Sequence, residues 1–206
     1  PAALGRSRCW HVGGPPRWPL VSPRTSSRCA MAVRDFVRRL PSPVQDALRD
    51  RVYPNLLPEG DTAPEWHLQS WDDSWHRHGK HWSVLFFFAD AADPSDRAEL
   101  SALQAEAAAF SRLGTKVFAV NAGEGPAQKA LADELGITFP LLTDRGGSVA
   151  RLFRACVQLP MKPVYISTLY LINPERKVRL SNRGRPSIEA VVRSIEALQR
   201  ATKTGM

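Results

Sequence analysis

Residues 82–89 read Trp-Ser-Val-Leu-Phe-Phe-Phe-Ala, an apolar run too short for anything but a core strand. Around it the pattern alternates. An alanine-rich stretch from about 94 to 112 predicts a long helix that stops at Gly114. Lys116–Ala122 reads as a second buried strand, and 125–135 as a helix closed by Gly136. Phe139–Asp144 is a third strand, followed by a short helix near 147–154. Residues 164–172 and 176–181 form a hairpin around Asn173-Pro174-Glu175-Arg176, and a short strand is expected at 65–68. A last helix, 186–201, carries Ile188, Val191, Val192, Ile195 and Leu198 as its apolar stripe. Helices alternate with strands early, then come paired strands and a final helix. That order predicts an α/β sandwich with a mixed sheet.

Upstream the pattern is weaker. Residues 32–40 can form an amphipathic helix with Val33, Phe36, Val37 and Leu40 on one face, ended by Pro41. Ser42 and Pro43 suit the cap and first turn of a second helix running to about Val52. Residues 54–64 then form a loop into the main domain. The expected organisation is a basic leader at 1–30, a helical extension at 31–59 and a folded domain at 60–203.

Composition changes this picture at one place. The chain of 206 residues has a formal charge of +8, but Arg6, Arg8, Arg17, Arg24 and Arg28 sit in an acid-free leader. The domain is therefore nearly balanced, and nucleic-acid binding is not expected of it. The leader, rich in Pro, Gly, Ser and Arg, reads either as an organellar transit peptide or as an artefact ahead of a start at Met31. The expected location is cytoplasmic, or mitochondrial or plastid if the leader is a transit peptide. No apolar run reaches the roughly 20 residues of a membrane span. Cys9 and Cys29 fall in the leader, which leaves Cys156 alone in the domain and excludes a disulfide framework there.

Candidate chemistry concentrates at one corner. Residues 84–99 predict strand, loop and helix start, and the helix start carries Asp93, Pro94, Ser95 and Asp96. Asp93 suits an N-cap, Pro94 the first helical position, and both carboxylates suit the helix dipole at about 0.3–1 kcal/mol each. As a functional pair for acid/base or metal work they lack a histidine or third acid visibly beside them. Cys156, flanked by Arg151 and Arg154, is the candidate redox thiol, since neighbouring cations lower a thiol pKa. His67, His76, His78 and His81 lie near Trp71, Trp75 and Trp82 in what reads as a hairpin rim, better suited to a partner or dimer surface than to a metal. The run Arg176, Lys177, Arg179, Arg183 and Arg185 reads as a solvated face or guarded edge.

Several stretches together resemble the peroxiredoxins, in the alkyl hydroperoxide reductase and thiol-specific antioxidant group, closest to the Q-type or bacterioferritin-comigratory branch. They run from about Gly60 to Leu198. Ala63-Pro64-Glu65-Trp66-His67-Leu68 is similar to the opening A-P-x-F-x-L strand, and Gly79-Lys80 with the following strand to G-K-x-V-V-L-F-F. Residues 137–153, ITFPLLTDRGGSVARLF, resemble L-x-F-x-L-L-S-D-x-x-G-x-V-A-x-x-Y, the most specific of these stretches. Residues 168–179, TLYLINPERKVR, resemble the T-F-I-I-D-P-x-G-K-I-R hairpin. The resemblance implies a thioredoxin-like, three-layer sandwich with a mixed central sheet between helices.

The same resemblance implies a catalytic motif, F-F-Y-P-x-D-x-T-P-x-C, which lays onto residues 86–96 without a gap. Phe86, Phe87 and Pro94 match; Asp93 takes the threonine position and Asp96 that of the peroxidatic cysteine. The family arginine falls at Ser167. Nucleophile, threonine and cation are thus all expected to be missing, and a carboxylate cannot be oxidised to a sulfenic acid. The reading is a relative that has lost its peroxidase centre and acts as a non-catalytic binding or dimerising module, with a homodimer or protein partner and no cofactor. The alternative is a thiol oxidoreductase or antioxidant peroxidase working through Cys156, with a thioredoxin-type reductant.

Overall fold

The computed structural model describes residues 54–158 and 163–204. The two helices expected within 32–52, and Cys9 and Cys29, lie outside the described residues. Nine strands and five helices follow in order: β1 (His67–Ser70), β2 (Trp75–Arg77), β3 (Trp82–Phe87), α1 (Pro94–Ala105), α2 (Ala107–Arg112), β4 (Thr115–Asn121), α3 (Gly125–Leu135), β5 (Leu141–Thr143), α4 (Ser148–Leu152), β6 (Cys156–Gln158), β7 (Pro163–Tyr165), β8 (Thr168–Ile172), β9 (Val178–Arg183) and α5 (Ile188–Thr204).

Seven strands make one mixed sheet in the order β2-β1-β5-β4-β3-β8-β9. β3, β4 and β5 run parallel, and the outer strands are antiparallel to their neighbours. The central strands are apolar on both faces because both faces are covered, and period 2 sorts their side chains into two cores. Val84, Phe86 and Phe88 join Val117, Ala119, Leu169 and Leu171 under α1, α2, α3 and α5. Leu85 and Phe87 join Phe118, Val120, Tyr170 and Ile172 on the other face, under α4, Phe153 and the β6–β7 ribbon. The result is the three-layer, thioredoxin-like α/β sandwich expected from the sequence.

Local differences have physical causes where the structure supplies them. The expected single helix over 94–112 is interrupted at Glu106 (φ −93°, ψ 7°), and both pieces still bury apolar residues, Leu100 and Leu103 in α1 and Phe110 in α2. The strand expected over 164–172 splits at Ile166–Ser167. Its first part pairs with β6 as a separate ribbon, and only 168–172 enters the main sheet. Gly136 does close α3, with the left-handed conformation (φ 63°, ψ 31°) that favours glycine.

Segment 54–66 is stitched to the second core. Leu57 and Trp66 are buried there, and Trp66 packs edge-on to Phe118 at 5.2 Å. Tyr170 is the central member, fully buried beside Phe87 and Phe153. Its hydroxyl donates to Phe153 O at 2.6 Å and accepts from Leu57 N at 3.3 Å. No helix among the described residues is long and apolar enough to cross a membrane.

Tyr170→Phe should leave that carbonyl and amide without their buried partner and cost about 1–3 kcal/mol of stability. Denaturant unfolding of the variant against the wild type measures it.

Candidate functional site

The corner after β3 is built by short-range polar contacts. Phe88 N still bonds across to Val120 O. The chain then turns, with Ala92 N donating to Asp90 Oδ1 and Asp93 N to Asp90 O. Asp93 has an extended backbone (φ −71°, ψ 118°), its side chain accepts from Ser95 N at 2.8 Å, and Pro94 opens the helix. The N-cap expected of Asp93 is therefore present.

Asp96 departs from the expectation of a carboxylate merely suited to a helix dipole. It is fully buried, and its side chain sits in a cradle of donors. Oδ2 accepts from Ala89 N at 2.9 Å and Asp90 N at 3.1 Å. Oδ1 accepts from Ser167 Oγ at 2.6 Å and from Arg185 Nη2 at 3.0 Å. An ionised carboxylate is acceptor-only, and this cradle offers it four donors and no acceptor. Three segments distant in sequence meet on one side chain: the β3–α1 loop, the β7–β8 junction and the β9–α5 connection.

Two expectations drawn from the sequence are corrected here. The cation of the site is present, and it comes from Arg185 rather than from position 167. The guanidinium lies 3.0 Å from Asp96 and 3.9 Å from Asp93. Nor is the corner without a third acid: Glu99, one turn along α1, is 8% exposed and has Oε1 without a hydrogen-bond partner. Burial pushes its carboxyl up to about 7; the Arg185 charge works against that rise, and the Asp96 charge adds to it. Sequence reasoning missed Glu99 because a glutamate in a helix is ordinarily exposed. Its spacing of three from Asp96 was the available signal.

The sequence profile of the AhpC/TSA family matches residues 60–181, more than half of the chain. The chain belongs to the AhpC/TSA family. No curated protein matches it. Among solved structures it is similar to peroxidoxin BcpB from Mycobacterium tuberculosis, with 22% identity, 68% of this chain and 97% of that one covered, and a TM-score of 0.64. The bacterioferritin comigratory protein of Xanthomonas campestris gives 20%, 64%, 90% and 0.59. A cysteine-to-serine mutant of PrxQ from Xylella fastidiosa gives 18%, 71%, 99% and 0.64. At these identities the likeness shows the shared peroxiredoxin, thioredoxin-like fold.

Within the family fold, the structure brings together Asp93, Asp96 and Ser167, with Pro94 opening the same helix. It does not bring Cys156 to them. Cys156 lies in β6, in the core on the opposite face of the sheet from α1. Burial raises its thiol pKa; Arg151 works against that shift and Asp144 with it. The activation expected from flanking arginines is thus outweighed by desolvation.

The histidines divide between two places. His67 packs against Trp75 at 4.6 Å, and His76 faces the hydroxyls of Ser74 and Ser70 at 2.9 and 3.3 Å on the β1–β2 hairpin. His78 and His81 follow the hairpin, their rings 5.8 Å apart. Burial lowers the pKa of His76, His78 and His81. Among the described residues no three His, Cys, Asp or Glu side chains form a group that could hold a metal ion.

The basic run is also more than a solvated face. β9 is indeed an edge strand, and Arg179 is exposed. Arg176, however, pairs with Glu65 and donates to Ala63 O at 2.8 Å, and Arg183 donates to Pro54 O. These arginines pin residues 54–65 to the domain.

Asp96→Ala should strand two backbone amides, the Ser167 hydroxyl and Arg185 in a site that cannot hydrate them fully, costing about 2–4 kcal/mol in chemical denaturation. Glu99 gives a second expectation. Its carboxyl holds its proton to higher pH in the fold than when unfolded, so its stabilising contribution is complete below about pH 4.5 and is lost as pH rises towards 7. Glu99→Gln should flatten that decline and exceed the wild type above pH 7 by up to about 3 kcal/mol, read from unfolding midpoints across pH.

Proposed function

We propose that this protein is a peroxiredoxin-family member without a peroxidatic centre, working as a non-catalytic binding or dimerising module. The observation that carries this reading is the state of the Asp96 cradle. The first turn of α1 places a carboxylate among two backbone amides, a hydroxyl and a guanidinium. In a thiol peroxidase such donors would lower a thiol pKa and stabilise the oxygens of a breaking peroxide bond. Here Asp96 occupies them, and a carboxylate supplies neither a thiolate nor a sulfenic acid. The corner keeps its electrostatics and holds no sulfur.

Two further features support a binding role. Trp75 is 59% exposed on β2, an edge strand of the sheet, and Trp71 is exposed in the adjoining turn. Aromatic side chains at an exposed edge suit contact with a second copy or a protein partner, because they bury large area at low entropic cost. Lys129 sits over the Trp71 ring at 5.1 Å and holds it at the surface.

The competing reading, a thiol oxidoreductase centred on Cys156, is opposed by the burial of that thiol and by its raised pKa. The deciding experiment is hydrogen peroxide consumption by the whole chain, with dithiothreitol or thioredoxin as reductant, beside Cys156→Ser. Consumption no greater than that of the variant is expected. Turnover that vanishes in Cys156→Ser would overturn the proposal and establish an unconventional thiol enzyme.

A further inference from the structure

Asp96 and Glu99 lie one turn apart on α1 but are served very unequally. Asp96 holds three donors besides Arg185 and would keep a complete set of partners on Oδ2 without it. Glu99, buried on the same helix, has an oxygen with no partner. The Arg185 guanidinium, 3.0 Å from Asp96, is one-third exposed on its side chain and is joined to β9 through Gly184, whose φ of 93° lies in the region glycine favours. Gly184 N donates to Ser167 O at 2.7 Å, so this connection also touches the residue that holds Asp96 from the other side.

We propose that Glu99 is a proton-operated latch on the Asp96–Arg185 contact. Protonated, it leaves the guanidinium to Asp96. Ionised, it draws the guanidinium towards itself and loosens the β9–α5 connection from the corner. The physical reason is an imbalance of charge: Asp93 and Asp96 hold the one arginine at 3.9 and 3.0 Å, while Glu99, one turn along, is buried with an unpartnered oxygen and within reach of the same positive charge. A newly ionised, buried and unpartnered carboxylate gains more from that arginine than one already satisfied by amides and a hydroxyl.

The remaining charged groups around α1 do not offer Glu99 another partner. Asp93 reaches the same guanidinium at 3.9 Å. Arg97 of α1 is paired with Glu134 of α3, and Lys129 of α3 with Asp133. Glu189 and Arg193 of α5 lie against each other, Arg183 of β9 donates to Pro54 O, and Asp90 in the loop accepts from Ala92 N. Arg112 of α2 is exposed. The rise of the Glu99 carboxyl to about 7 places the switch near neutral pH. The inference does not rest on whether the corner is catalytic.

The test is an NMR titration of the labelled full chain from pH 5.5 to 8.5, following the Glu99 side-chain carboxyl carbon, the Arg185 Nε–H and the Ala89 and Asp90 amides. The expected result is a shift of all of these with a common midpoint, and loss of the Arg185, Ala89 and Asp90 shifts in Glu99→Gln. A Glu99 titration that leaves Arg185 and the two amides still overturns the latch. So does an absence of any Glu99 titration in the range, or the same Arg185 shift in Glu99→Gln. Should that variant fail to fold, coincidence or divergence of the wild-type midpoints decides the matter alone.

Discussion

A buried carboxylate demands partners, and in this domain the demand of Asp96 organises the whole corner between sheet and helix. An unpaired charge there would cost several kcal/mol. The chain meets it with two amides from the loop, a hydroxyl from the β7–β8 junction and a guanidinium from beyond β9. Each of those segments is consequently fixed relative to α1. The corner is a closed polar knot at the end of β3, a strand whose residues Val84–Phe87 are all fully buried and apolar.

The knot also explains why the fold tolerates a third acid. Glu99 is accommodated by holding its proton longer than a surface glutamate would, because burial disfavours its charged form. The single arginine of the site is committed first to the carboxylate with the better hydrogen-bond geometry. Stability of the corner and its response to pH therefore come from one set of residues rather than from separate parts of the molecule. On the opposite face Cys156 shows the complementary case: a thiol in a packed core, whose neighbouring arginines do not compensate for desolvation. Position within the layers, more than residue type, sets the chemistry available to each group.

Membership of the AhpC/TSA family fits this division. The sheet order and the two cores are those of a thioredoxin-like sandwich. In the reading proposed here a carboxylate occupies the donor cradle that a thiolate would occupy in a thiol peroxidase. The cradle attracts negative charge in either case.

Most strands and helices of the domain were legible from the sequence because their signals are local; the three-residue strands β2 and β6 were not. A continuous apolar run marks β3, a stripe at helical spacing marks α5, and Gly136 marks the end of α3. The family motifs, read together, carried the layer order as well. The split at Ile166–Ser167 was not legible, since β7 and β8 form one unbroken β-prone stretch and only their different partners separate them. At the corner, Asp93, Asp96 and Ser167 were named from motif positions, but their contacts with one another and with Arg185 were not legible. Arg185 was read as part of a basic face because its partner lies 89 residues away, and Glu99 was passed over because burial is invisible in a helical spacing. The sequence alone thus determined most of the elements and raised the expectation that Asp96 takes the position at which the family resemblance places a thiol. Tertiary structure decided which cation meets that carboxylate, which acid is buried beside it and which side of the sheet holds the cysteine, because charge pairing and desolvation depend on distances that only the folded chain sets.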